Sequence, residues 1–182
     1  MPNRTNPRVA AYAAIMLGAA ALPGCASVGE IQTIRVASAT LVSASGSPVG
    51  SAQMVGVGDR LTLTVTAASL PEGVHGLHLH TTGRCDAPGF TTAGAHLNPA
   101  GHRHGTLNPG GGHLGDLPNL TIARSGAGTV TAALEGTRAT LESALFDADG
   151  TAIVIHASPD DYKTDPSGNS GARIACGVLT PG

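Results

Sequence analysis

Tryptophan is absent from this 182-residue chain, and with two Tyr and two Phe the aromatics amount to 2%. A core here cannot rest on large rings and has to be built from Val, Leu, Ile and Ala. Charge is also scarce. Asp, Glu, Lys and Arg together make 12% of the residues, and Lys163 is the only lysine. The net charge is −2 and the pI is near 6.4, so nothing in the balance of charge calls for a nucleic-acid partner. Cysteine is limited to three positions, Cys25, Cys85 and Cys176. What is plentiful is Gly (26), Pro (12) and His (8), on a background that is 41% apolar. That mixture argues against disorder and fits one domain of short strands joined by tight turns.

The first thirty residues have the pattern of a processing signal. Arg4 and Arg8 form a positive start, and residues 9–22 are an apolar run without charge, short for a bilayer span. Leu22-Pro23-Gly24-Cys25 follows and resembles the lipobox of bacterial lipoproteins, in which the Cys thiol is acylated before cleavage on its N-terminal side. The other reading is ordinary secretion, with Cys25 lost or free. The expected organisation is a signal peptide over 1–24, a tether over 25–32 and a folded domain over 33–182. Ser27, with no Asp beside Cys25, leans towards an outer-membrane anchor facing the periplasm. Cleavage removes Arg4 and Arg8 from the 10 basic residues, leaving 8 against 12 acidic and a net charge of −4. With Cys25 assigned to lipid, Cys85 and Cys176 are an even pair for a disulfide in an oxidising compartment; two buried thiols are the alternative.

Period-2 alternation and β-branched residues predict strands over 33–45 and 61–66, with turns at 46–48 and 58–59. Further strands are expected over 76–80, 120–123, 128–134, 139–146 and 152–156, the last two joined by a hairpin-like turn at 147–150. No segment has a helical period of useful length, so the pattern supports a small all-β domain. Two long stretches, 81–117 and 159–171, break it. Loops of that length inside a compact domain usually carry function.

Seven of the eight histidines lie in or beside the first stretch, and His156 ends a strand feeding the second. His78 and His80 stand at i and i+2, on one face of a regular strand. Then come His96, His102, His104 and His113, followed by Asp116. Imidazole suits copper and zinc, and imidazole with one carboxylate suits zinc. The concentration points to a metal site, without saying which metal or which reaction.

Several motifs resemble the copper/zinc superoxide dismutase family. They are Gly73-Val74-His75-Gly76-Leu77-His78-Leu79-His80, Ala93-Gly94-Ala95-His96-Leu97-Asn98-Pro99, His104-Gly105, His113-Leu114-Gly115-Asp116-Leu117, Ile155-His156 and Gly171-Ala172-Arg173-Ile174-Ala175-Cys176-Gly177. The likeness covers nearly the whole of 33–182. It implies an antiparallel Greek-key β-sandwich or barrel with two long metal-binding loops. It implies copper on His78, His80, His96 and His156, and zinc on His96, His104, His113 and Asp116, one ion of each per chain. His96 joins the two metals as an imidazolate. The resemblance further implies that Asp160 holds a histidine from each site; Asp161 beside it reads as a solvated acidic turn. It makes His75 a structural histidine, leaves His102 outside the ligand set, and has Arg173 guide the substrate, superoxide, with Lys163 at the rim. The implied reaction gives dioxygen and hydrogen peroxide, with His96 passing a proton, in defence of the cell envelope. A non-catalytic periplasmic copper-binding or copper-delivery protein on the same fold is the rival reading. Relatives occur as monomers and as homodimers, and both stay open. Leu77 departs from the family, standing where an aromatic is common, and 159–171 is shorter and less charged than in animal relatives.

Overall fold

The computed structural model describes residues 32–182, so the signal-peptide and Cys25 readings lie outside the described residues. Ten strands and one α-helix follow in order: β1 (Thr33–Ser43), β2 (Pro48–Val57), β3 (Arg60–Ala67), β4 (Gly73–His75), β5 (Leu77–His80), β6 (Leu120–Ile122), β7 (Gly128–Ala133), α1 (Arg138–Leu145), β8 (Ala152–His156), β9 (Arg173–Val178) and β10 (Thr180–Pro181). An antiparallel sheet runs β5-β8-β9-β1-β2-β3-β7, with β10 added on β1, and β4 pairs with β6 in a second, two-stranded sheet. β1 is the turning point. It pairs along its length with β2 and at one end with β9, and its register shifts between Arg35 and Ala37 and between Leu41 and Val42. Extra residues at such bulges bend and twist a strand, which curls the sheet into an open barrel.

Alternation places the core. Leu61, Leu63, Val65 and Ala67 of β3 and Val49, Ala52 and Met54 of β2 are buried, while Thr64 faces Thr131 on the outside. β5 and β8 break this rule, being buried at every position. Leu77, Leu79, Ile153 and Ile155 point into the main core. On the opposite face, Ala152 and Val154 pack with Phe90, Ala93 and Cys176, contributed by the first long loop and β9. The first long loop therefore acts as a second layer over these two strands, and by alternation His78, His80 and His156 lie on the face it covers.

Two strand expectations fail together. Residues 139–146 are not a strand, because Arg138–Leu145 forms α1. The turn at 147–150 consequently links a helix to a strand and is no hairpin. Thr137 caps α1, its side-chain oxygen accepting the Thr140 N–H, and Arg138 pairs with Glu142 at i,i+4. Leu141 and Leu145, also i,i+4, supply the buried stripe. The expected strand over 76–80 is found as β5, beginning one residue after Gly76, and β2, β4, β9 and β10 are strands that the sequence pattern did not single out. The stretches 81–117 and 159–171 are free of named strands, with one 3-10 turn at Thr91–Ala93. Among the described residues no helix is long and apolar enough to cross a membrane.

Candidate metal centre

The first long loop doubles back along β5 and is latched to it by backbone bonds. Thr81 N–H donates to Ala95 O, Leu97 N–H to Leu79 O, Leu79 N–H to Gly115 O and Leu117 N–H to Leu77 O. This lays His96 opposite His80 and Asp116 opposite His78. The approach depends on Gly115, since a Cβ there would overlap the Leu79 carbonyl. From the other side β8 pairs with β5, and His156 follows Ile155, the partner of Leu77. Four segments distant in sequence thus bring their imidazoles to one place.

His96 lies at the centre. Its ring centroid is 3.8 Å from that of His78, 5.0 Å from His80, 5.2 Å from His104, 5.6 Å from His113 and 6.1 Å from His156. Around it four rings, His78, His80, His104 and His156, share one habit: one nitrogen is tied to an acceptor and the other is left free. His78 Nε2–H donates to Asp160 Oδ2 (2.8 Å) and His104 Nε2–H to Asp160 Oδ1 (2.9 Å). His80 Nδ1–H donates to Gly94 O (2.9 Å) and His156 Nδ1–H to Gly171 O (3.2 Å). A carbonyl or carboxylate oxygen can only accept, so each bond fixes the tautomer and aims the other nitrogen's lone pair inwards. Among the described residues, the buried side-chain nitrogens without a hydrogen-bond partner are His78 Nδ1, His80 Nε2, His96 Nε2, His104 Nδ1, His113 Nδ1 and His156 Nε2.

Two donor sets result. The ligand atoms of His78, His80, His96 and His156 fall within 4.8 Å of one another, all four residues buried. On the other side the Nδ1 atoms of His96, His104 and His113 lie 3.0, 3.0 and 3.3 Å from Asp116 Oδ1. Only the His96 approach has hydrogen-bond geometry. Distance alone also groups His78 with His96, His104 and Asp116. The three Nδ1 atoms that converge on one carboxylate oxygen mark out that side. The far oxygen, Asp116 Oδ2, accepts the Gly105 and His113 N–H groups at 2.7 and 2.8 Å.

Charge states fit metal donors. Burial holds His78 down to about 4 and His156 to about 3, and it lowers His80 further still, so these rings are neutral at ordinary pH. Burial also lowers His113. For Asp116 burial works upwards, but the hydrogen bonds from His96, Gly105 and His113 outweigh it and hold the carboxyl below the usual range. Asp160 behaves alike, burial being outweighed by His78, His104 and the Tyr162 N–H. An unpartnered buried polar atom costs about 1–3 kcal/mol. Six in one cluster are tolerable only where something else satisfies them, and neutral imidazoles with one carboxylate are the donors that copper and zinc take.

The remaining expected residues are placed as follows. Arg173, partly buried, donates Nη1–H to Phe90 O and Nη2–H to Gly94 O, both at 2.6 Å. Gly94 O is the acceptor that also orients His80. Cys85 and Cys176 are bonded, Cα–Cα 5.6 Å, which ties that loop to β9. His75 sets its ring between the carbonyls of His156 and Pro71, away from the donor sets. His102 is exposed, with Nδ1 against Gly112 O, and Lys163 is exposed at the surface. Asp161 is more than a solvated turn: its carboxylate accepts from Lys163, Thr164 and Asn169 and organises the second loop. Sequence reasoning missed Asp165, whose Oδ1 accepts the His104 N–H at 2.7 Å, and Asn108, whose amide donates to the His104 and Lys163 carbonyls. Neither carries a spacing signal, because each acts on backbone atoms of a distant segment.

Comparison with known proteins agrees with this geometry. The family model for copper/zinc superoxide dismutase matches residues 49–179. The chain is 40% identical over 146 residues to superoxide dismutase [Cu-Zn] 1 of Aquifex aeolicus, covering 78% of this chain and 85% of that one. It is 40% identical over 149 residues to superoxide dismutase [Cu-Zn] of Caulobacter vibrioides, covering 79% and 84%. Among solved structures, a SOD-like protein from Bacillus subtilis superposes with a TM-score of 0.74 at 38% identity, covering 81% of this chain and all of that one. The matched span takes in every histidine and carboxylate of both donor sets, and on that ground the chain belongs to the copper/zinc superoxide dismutase family, enzymes that use copper and zinc to dismutate superoxide.

Proposed function

We propose that His78, His80, His96 and His156 hold copper, that His96, His104, His113 and Asp116 hold zinc, and that His96 serves both through its two ring nitrogens. The observation that carries this reading is the sorting of the ring nitrogens: the unpartnered Nε2 of His80, His96 and His156 with Nδ1 of His78 on one side, and three Nδ1 atoms around Asp116 Oδ1 on the other. Copper, when bound, supplies one-electron redox chemistry, and zinc supplies charge without redox. The chain's own residues do the rest. Asp160 keeps the His78 and His104 rings in the tautomer that leaves Nδ1 free. When no metal engages it, His96 Nε2 would be the ring nitrogen available to hold a proton for the reaction, because Nδ1 is engaged by Asp116 Oδ1. Arg173 spends two of its five N–H donors on Phe90 and Gly94, leaving others to hold a small oxygen anion.

The enzyme works, in this reading, in a bacterial cell envelope, anchored through a lipid on Cys25 and protecting against superoxide arising outside the cytoplasm. Support comes from the Cys85–Cys176 disulfide, which belongs to an oxidising compartment. Two measurements test the proposal. His96→Ala should abolish dismutation while the other rings still take up metal; full activity would overturn the shared-ligand role. Cys25→Ser should move the protein from the membrane fraction to the soluble fraction with its specific activity intact. An unlipidated native N-terminus beyond Cys25 would overturn the anchor.

A further inference from the structure

Asp160 orients His78 and His104 together, yet it sits in a loop of thirteen residues, 159–171, without a strand or helix to hold it. Something outside that loop must set its position, and the hydrogen bonds name the residue. Asn119 Nδ2–H donates to Asp160 O at 2.9 Å, and Asp160 N–H donates to Asn119 Oδ1 at 2.9 Å. One amide side chain thus grips both backbone polar groups of Asp160. The Asn119 backbone N–H adds a bond to the Tyr162 hydroxyl at 2.8 Å, and the Tyr162 N–H returns to Asp160 Oδ1 at 2.6 Å. Asn119, Asp160 and Tyr162 form a closed ring of four hydrogen bonds. Tyr162 takes a left-handed φ of 62°, which a non-glycine residue adopts only when its surroundings hold it there. Gly168 completes the cradle, since a Cβ there would overlap Asp160 Oδ1. Asn119 itself stands three residues after Asp116, where the first loop runs into β6. It is anchored by that strand rather than by the loop it grips.

Resting on the ligand assignment proposed above, we infer that Asn119 is the positioning residue for the Asp160 carboxylate, and through it for one histidine of each donor set. It touches neither reacting atoms nor donor nitrogens. It couples the two sets, so a change at one side chain on the zinc-side segment reaches His78 as well as His104. A residue that merely stabilises the loop would change the melting temperature and leave the donors as they are.

The chain contains a matched control. Asn98 makes the same two-way grip on His102, Nδ2–H to His102 O at 2.8 Å and His102 N–H to Oδ1 at 3.0 Å, on an exposed loop with no bond to Asp160. Asn119→Ala, Asn119→Asp, Asn98→Ala and Asp160→Asn are prepared as copper- and zinc-loaded protein. The copper electron paramagnetic resonance spectrum and the rate of zinc release to a chelator are then recorded. Loss of an outer-shell partner typically costs ten- to hundred-fold in metal affinity. Asn119→Ala should speed zinc release about ten-fold and shift the copper spectrum in the direction of Asp160→Asn. Asn119→Asp, which keeps the acceptor and loses the donor, should fall between Asn119→Ala and the parent protein, and it serves if the alanine variant does not fold. Asn98→Ala should leave both readouts unchanged. The inference is overturned if Asn119→Ala lowers only the melting temperature, or if Asn98→Ala produces equal changes. In either case, Asp160→Asn still moving both metals leaves the site assignment standing, whereas an inert Asp160→Asn brings down the assignment itself.

Discussion

Replacing Cys85 and Cys176 together by alanine should cost this domain a large share of its stability. The bridge spans a sequence separation of 91. The chain-entropy relation for a closed loop of that length gives about 4.6 kcal/mol at 25 °C. At roughly 2–4 °C per kcal/mol for a domain of this size, the melting temperature should fall by about 9–18 °C. Alanine adds a small further cost, because it removes one buried sulfur from the cluster of Phe90, Ala93, Ala152 and Val154 around Cys176. The consequence for function is local. The bridged loop carries the Phe90 and Gly94 carbonyls that hold Arg173, and Gly94 O also aims His80. Copper-side chemistry should therefore weaken at 25 °C, while zinc around Asp116 stays put. Differential scanning calorimetry of the metal-free protein separates the bridge from the metals, whose binding would stabilise the fold independently. A melting temperature within about 3 °C of the parent, with full turnover of the loaded variant, would refute the reasoning.

Other outcomes divide the roles more finely. His156→Ala should abolish turnover by removing a copper donor, whereas Asp116→Ala should chiefly release zinc and leave residual copper chemistry, as read by metal analysis beside activity. Equal, total loss with copper retained in both variants would contradict the two donor sets. Arg173→Ala should keep both metals but lose about ten-fold in rate and flatten its decline with ionic strength, since the cation that steers superoxide is gone. An unchanged rate and salt slope would leave Arg173 only its carbonyl bonds. The metal-free protein should lose stability as pH falls below 6.5, because unfolded His78, His80 and His156 take up protons there while the buried rings stay neutral. The unfolded state then binds more protons, so stability drops with falling pH. The loss is at most ~1.4 kcal/mol per pH unit for each ring, until His78 itself protonates near about 4. Urea midpoints that are flat or rise from pH 6.5 to 4.5 would contradict burial of these rings in the metal-free state.

Much of the architecture was legible where one face is buried and the other wet. Leu61-Thr62-Leu63-Thr64-Val65-Thr66 announces β3, and its observed burial follows the pattern. β2 was not singled out because Gly50, Ser51, Ala52 and Gln53 give it little apolar contrast. Residues 139–146 alternate by accident. The signals for α1 were the Thr137 cap and the Arg138–Glu142 pair, which a count of alternating apolar positions overlooks. The donor histidines were visible through motif likeness and not through periodicity. Nothing in the chain's local pattern states that Leu77 pairs with Ile155 or that His80 lies opposite His96. Asn119, Asn108 and Asp165 stayed hidden for a related reason: they grip the main chain of a distant segment, and main chain has no letter in a sequence.

The measurement closest to the central claim is anomalous diffraction from crystals of the loaded protein, collected on both sides of the copper and zinc absorption edges. The expected maps show one copper among His78, His80, His96 and His156 and one zinc among His96, His104, His113 and Asp116, with His96 touching both. A single ion in the cluster, or two ions with His96 ligating only one, would contradict it.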